Sequence, residues 1–269
     1  AMPALFDMHV HFRDPGLTYK EDILTGAAAA LAGGFSGVAC MPNTKPTADS
    51  PETISYIINK AANTGVKVYP VGCITVGLKG EELCDYEALK AAGAIAVSDD
   101  GRPVENPGML KHGMMSAMEA GLPVISHCED LKIIGKGIIN KGRISERLGV
   151  EGMDRKSEDS ITEREILTAE KTGTRIHIAH VSTAGSVDII RKAKARGVNV
   201  TCETCPHYFM MTDEKLLSRD ADYRMNPPLR EETDRKAIEE AVCDGTIDCI
   251  VTDLAPHSKE EKSDFLKAP

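Results

Sequence analysis

The chain alternates short runs of β-branched and aliphatic residues with longer runs whose apolar positions recur every three or four residues. The short runs predict strands over 7–12, 37–42, 67–74, 94–98, 123–127, 175–180, 198–203 and 248–253. The longer runs predict helices over 20–32, 51–63, 86–92, 107–120, 157–171, 184–195 and 231–244. Gly34, Gly93, Gly121, Gly173, Gly197 and Gly245 follow six of these helices, where a residue without Cβ readily closes the last turn. Strict alternation of strand and helix makes a (βα)8 barrel of the TIM type the economical α/β fold. A doubly wound sheet would carry a glycine-rich phosphate turn after its first strand. Here the first strand runs instead into His11-Phe-Arg-Asp-Pro-Gly16. Residues 254–269 read as loop, so the barrel is expected to lack its last helix. One domain over 1–269 is expected, with no repeat or internal linker.

Composition narrows the class. Of the 269 residues, 42% are hydrophobic and 27% charged, which excludes a disordered or fibrous chain. No apolar run approaches the length of a membrane span, and residues 1–12 lack the basic-then-apolar pattern of a secretory signal. A cytoplasmic setting is therefore expected. The net charge of −9 argues against a nucleic-acid partner, because phosphate binding needs a basic surface. Eight cysteines in such a chain read as free, mostly buried thiols. Cys202-x-x-Cys205 has redox or zinc spacing, but a single pair reads as coincidence.

Catalytic groups of a barrel gather at the C-terminal ends of its strands. Those ends hold His9 and His11, Asn43, Asp99 and Asp100, His127, His180 and Asp253. His9 and His11 lie two apart on one strand, so their rings share a face. Alone, a His-x-His pair is weak evidence, and a single strand-end histidine is more often structural. Four such histidines from three strands are harder to explain that way, since clustered imidazoles lose solvation and repel when protonated. Imidazole with carboxylate suits zinc. Asp99 or Asp100 can add a carboxylate, although Asp-Asp-Gly is also an ordinary turn. Asp253 can bind metal and move a proton. Arg13, Asn43 and His257 combine a guanidinium, an amide and an imidazole, a good carboxylate receptor. Asn226-Pro-Pro-Leu-Arg230 reads as a rigid loop able to face a substrate. His177 has strand parity opposite to His180 and is set aside; His112 reads as solvent-facing or packed, and His207 as support for the site. Met114, Met115 and Met118 read as helix core.

Together these motifs resemble the amidohydrolase superfamily and, within it, the type I dihydroorotases. The matching stretches are Asp7-Met-His-Val-His-Phe-Arg-Asp-Pro-Gly16, Met41-Pro-Asn-Thr44, Ser98-Asp-Asp-Gly101, Ser126-His-Cys-Glu-Asp130, His180-Val-Ser-Thr183, Asn226-Pro-Pro-Leu-Arg230 and Thr252-Asp-Leu-Ala-Pro-His257. The resemblance implies one or two zinc ions, with His9 and His11 on the first, Asp100 bridging, and His127 and His180 on the second. It implies Asp253 as ligand and general base and acid, Arg13, Asn43 and His257 on the substrate carboxylate, and Asn226 on the ring side. It implies interconversion of dihydroorotate and N-carbamoyl-L-aspartate in pyrimidine biosynthesis. The alternatives are a hydantoinase- or allantoinase-like cyclic amidase, and an inactive scaffold for aspartate carbamoyltransferase. Hydantoinases and type II relatives carry a carboxylated lysine at strand 4; 94–98 contains none. A homodimer and an aspartate carbamoyltransferase complex are the partners the resemblance implies. Two departures stand out: Leu254 occupies a position that is usually histidine, and the family's small terminal β-sandwich domain is not recognisable in the chain.

Overall fold

The computed structural model describes residues 2–269. They divide into two compact units. The first runs from the N-terminal end to His127 and adds Thr174–Ile176 and Val251–Pro256. The second comprises Cys128–Gly173, His177–Ile250 and His257–Pro269.

The first unit is a chain of strand–helix repeats: β1 (Leu5–Val10), α1 (Ile23–Ala32), β2 (Phe35–Cys40), α2 (Pro51–Ala61), β3 (Lys67–Pro70), α3 (Tyr86–Ala92), β4 (Val97–Ser98), α4 (Pro107–Ala120) and β5 (Val124–Ser126). The strands pair in parallel, β1 with β2 through Phe6↔Gly37 and β2 with β3 through Val38↔Val68. A bridge from Gly72 to Val97 continues the order to β4, and β4 pairs with β5 through Val97↔Val124. On the other side, Val10 bridges to Leu254, and His11 N–H donates to the Leu254 carbonyl at 2.8 Å. Parallel strands need crossovers, and the capped helices supply them. Asp22 caps α1, Asn106 caps α4, and Gly93 and Gly121 close α3 and α4 in the left-handed conformation. Phe12, Ile54, Ile57, Leu89 and Met114 lie fully inside. A Cβ at Gly26 would come within 2.5 Å of the Phe12 ring, so α1 packs there only as glycine.

The second unit begins with short elements that the hydrophobic pattern did not reveal. They are α5 (Leu131–Ile134), β6 (Ile139–Asn140), α6 (Arg143–Leu148) and β7 (Gly152–Met153), with β6 and β7 in parallel. Ile139 and Ile144 form a local core with Leu216 and Phe265. After α7 (Lys156–Thr172) come β8 (Ile176–Ile178), α8 (Ala184–Ala195), β9 (Val200–Thr204), α9 (Pro206–Met210), α10 (Glu232–Cys243) and β10 (Cys249–Ile250). β8, β9 and β10 stand side by side, with Glu203 opposite Cys249.

The helices fall close to their expected places, α3, α4 and α8 at the same bounds. β1 and β2 keep the expected length but begin two residues earlier, and the later strands are shorter than the apolar runs. Residues 254–269 hold no helix. The methionine expectation needs correction. α4 buries Leu110, Gly113, Met114 and Ala117, a stripe that leaves Met115 and Met118 exposed. None of the eight cysteines is in a disulfide; six are buried, Cys249 is half-buried and Cys243 exposed. Burial pushes the Cys40 thiol up to about 11 and the Cys202 thiol to about 12. No helix among the described residues is long and apolar enough to cross a membrane.

Candidate metal centre

Five of the expected site residues converge within the first unit. His9 lies on β1 and His11 just beyond it; Asp100 follows β4, His127 follows β5, and Asp253 lies beside the Leu254 bridge to β1. The first four are buried, and the Asp253 side chain is only 10% exposed. His9 Nε2 is 3.6 Å from Asp100 Oδ1 and 3.5 Å from Asp253 Oδ1. His11 Nε2 is 3.5 Å from Asp100 Oδ2 and 3.1 Å from Asp253 Oδ1. His127 Nδ1 is 3.5 Å from Asp100 Oδ1.

These spacings carry information. Most exceed a good N–H···O hydrogen bond, which falls at about 2.7–3.2 Å. Ligand bonds of about 2.0–2.2 Å to zinc place neighbouring donors of a tetrahedral shell about 3.3–3.6 Å apart. His11 makes the same point. Its Nδ1 donates to Asn43 Oδ1 at 2.8 Å. Its Nε2 faces the Asp100 and Asp253 carboxylates, which sets a ring nitrogen and two carboxylate oxygens around one point. Imidazole nitrogens with carboxylate oxygens are a fitting donor set for a zinc-class ion. His9, His11 and Asp100 alone bring three such atoms within 4.8 Å of one another.

The neighbouring residues hold these ligands in place. Asp99 and Asp100, alike in sequence, separate cleanly. Asp99 Oδ1 accepts the N–H groups of Ile74 at 2.8 Å and Thr75 at 3.0 Å, and its Oδ2 takes the Thr75 hydroxyl. Asp99 is thus a bracket for the loop after β3, and burial raises its carboxyl to about 6. Asp100 is the one that reaches the histidines. Asp7 is a second bracket, which the pattern did not single out. Its Oδ1 accepts from His9 N–H and Thr252 N–H, both at 3.2 Å, and its Oδ2 accepts the Thr252 hydroxyl at 2.6 Å. One carboxylate therefore ties the segment bearing His9 to the segment bearing Asp253. Its only sequence signal is its place two residues before His9. Leu254 contributes through its backbone, and its side chain is 39% exposed, so the tie to β1 does not depend on its identity.

Arg13 and Asn43 stand beside the centre in the same unit. Arg13 is buried, and its Nε donates to the Pro256 carbonyl at 3.1 Å. The loop behind it packs closely: Gly16 has φ +86°, and a Cβ there would fall 1.7 Å from the Lys45 carbonyl oxygen. Three expected site residues, Arg13 (φ 59°), His180 (φ 35°) and Asp253 (φ 49°), hold positive φ without being glycine. Each such conformation costs roughly 1–3 kcal/mol and concentrates at functional sites.

The remaining expected residues belong to the second unit. His180 is buried, and its N–H points to Glu203 Oε1 at 3.4 Å. Asn226 Nδ2 donates to Glu129 Oε1 at 2.7 Å. His257 Nδ1 lies 3.2 Å from Glu261 Oε2. His207 packs edge-on against Tyr208, while His112, on α4 of the first unit, is exposed. Ser182, Thr183 and Arg230, all within stretches that carry the resemblance, serve a buried ion pair. Glu158 Oε1 accepts Ser182 N–H at 2.9 Å and Thr183 N–H at 3.2 Å, and its Oε2 takes the Ser182 hydroxyl and Arg230 Nη2 at 3.2 Å. Arg230 Nε donates to Ser182 Oγ at 3.0 Å and Nη1 to Asn140 Oδ1 at 3.2 Å.

A buried cluster of histidines and aspartates at the ends of parallel strands, each followed by a helix, defines an α/β-barrel protein of the amidohydrolase class. Solved structures show the fold: the L-hydantoinase (dihydropyrimidinase) of Arthrobacter aurescens matches 99% of this chain with a TM-score of 0.84 at 22% identity. The dihydropyrimidinase of Brevibacillus agri matches 100% with a TM-score of 0.81 at 22% identity. The chain covers 62% of each. The (βα)8 expectation is thereby borne out. Residues 1–186 match the Dihydro-orotase-like family model, and the chain belongs to that family. It is 54% identical over 262 residues to the dihydroorotase of Trichlorobacter lovleyi and 54% over 261 residues to that of Geobacter sulfurreducens. These alignments take in 97% of this chain and 62% and 61% of those proteins, so the chain spans about three fifths of their length.

Proposed function

We propose that this chain catalyses the reversible opening of the dihydroorotate ring amide to N-carbamoyl-L-aspartate, a step of pyrimidine biosynthesis, with one or two zinc ions. The observation that carries the reading is the set His9, His11, Asp100, His127 and Asp253, whose nitrogens and carboxylate oxygens stand mostly 3.5–3.6 Å apart, as ligands of one ion do. The name shared by relatives at 54% identity supports the substrate. The aspartate after β4, with no lysine in 94–98, supports this subfamily over the hydantoinases.

The residues that would hold the cation are His9, His11, Asp100, His127 and His180. The cation supplies Lewis acidity and a water acidified to a pKa near about 7. Asp253 takes the proton of the attacking water and delivers it to the departing ring nitrogen. Asn43 keeps the His11 ring turned so that Nε2 faces the centre. Arg13, its guanidinium fixed on Pro256, binds the substrate carboxylate with Asn43, and His257 is the third member assigned to this receptor. Asn226 contacts the ring. Rings without a carboxylate are rejected because Arg13 would lose its anionic partner on desolvation. The reading carries with it a cytoplasmic homodimer; docking to aspartate carbamoyltransferase belongs to the scaffold alternative.

The test is ring opening by the zinc-loaded chain with dihydroorotate and, separately, with dihydrouracil, which lacks the carboxylate. Turnover of dihydroorotate alone, with a raised KM in Arg13→Met, is expected. Preference for dihydrouracil, unaffected by Arg13→Met, would establish a hydantoinase-like enzyme instead.

A further inference from the structure

The second unit holds another donor cluster, on the adjacent strands β8, β9 and β10. His177, Glu203 and Cys249 bring a ring nitrogen, a carboxylate oxygen and a sulfur within 4.8 Å of one another. Glu203 and Cys249 are partners in the β9–β10 register. His177 Nδ1 is 2.8 Å from Thr201 Oγ1, and Nε2 is 3.0 Å from Glu203 Oε2. When Nδ1 donates to the threonine oxygen, the neutral ring presents a lone pair at Nε2 on the side of Glu203. At 3.0 Å that nitrogen and Glu203 Oε2 are in hydrogen-bond contact, so a cation binding here takes the place of that bond. His177 and Glu203 are buried, and Cys249 is half-buried.

We propose that His177, Glu203 and Cys249 form a second, thiolate-containing site for a zinc-class divalent cation, separate in composition from the His/Asp centre. Three protein ligands leave a fourth position for water. A thiolate with imidazole selects zinc-like ions over magnesium or calcium, which prefer all-oxygen shells. On binding, the sulfur–cation bond replaces the Cys249 S–H bond, and that proton leaves to the buffer. The cation joins three neighbouring strands, so its effect is to fasten this sheet.

Cobalt(II) is the probe, because thiolate ligation gives a near-ultraviolet charge-transfer band that imidazole and carboxylate ligands do not. None of the side chains assigned to the first centre is a thiol, so that centre stays silent in this band. The whole chain is titrated with cobalt(II), in parallel with Cys249→Ser and His177→Gln. Far-ultraviolet circular dichroism confirms that both variants fold. The expected result is a band whose final amplitude corresponds to one thiolate-bound cobalt per chain in the parent and which is lost in both variants. No band in the parent, or a band retained in either folded variant, would overturn the proposal.

Discussion

Each unit buries a cluster of ionisable side chains, and the two clusters are built in opposite ways. Around Glu158 and Arg230 the charges meet directly, with each carboxylate oxygen receiving donors and the longest contact at 3.2 Å. Around Asp100 the ring nitrogens and carboxylates stand mostly 3.5–3.6 Å apart. Burying charge costs free energy that either a partner or a bound ion must offset. The Glu158 cluster satisfies itself and fastens its unit. In the function proposed above, the Asp100 cluster is completed by a bound cation.

The difference can be tested by removing one member of each. Asp253→Ala should lower turnover of dihydroorotate by about 10³-fold, within the range for loss of a general acid–base group. The stability of the metal-free protein should change by no more than about 1 kcal/mol, an ordinary value for a single substitution. Arg230→Met should do the reverse of that second part. It strands Glu158 in the interior and should cost about 3–5 kcal/mol in urea denaturation. Adding Glu158→Gln should recover part of the loss, and a loss near zero for Arg230→Met would erase the contrast. Asp7→Ala should weaken metal binding about 10–100-fold, the usual effect of losing a group that orients ligands. Isothermal titration with zinc measures it in the Cys249→Ser background.

The smallest effect lies at the surface. Thr246, by its hydroxyl and N–H, and Arg191 hold the Asp244 carboxyl at about 2, below the ordinary 3.8. A depressed carboxyl stabilises the fold above its unfolded value, so this contribution is present above 3.8 and is lost as pH falls toward 2. Carboxyl NMR should show the Asp244 midpoint near 2 and moving upward in Thr246→Val.

The barrel and the chemical nature of its centre were legible because both rest on periodicity. Helices α3, α4 and α8 are bounded by caps that the sequence spells out, such as Asn106 and Gly121. His9 and His11 share a face because strand geometry requires it. What stayed hidden depends on contacts distant in sequence. Asp99 and Asp100 differ only in which neighbours they meet, Ile74 and Thr75 or the histidines. Asp7 acquires its role from Thr252, 245 residues away. The positive φ of Arg13 and Asp253 is a local turn of the backbone that no hydrophobic period announces. The elements β6, α6 and β7 are too short to show a period, and they are held by a core that includes Phe265.

The central claim is that the donors around Asp100 surround a cation. The direct measurement is an anomalous difference map from crystals of this chain grown with zinc, collected at the zinc edge. The account predicts a strong peak among His9, His11, Asp100 and Asp253. A zinc-saturated crystal with no peak among those side chains would contradict it.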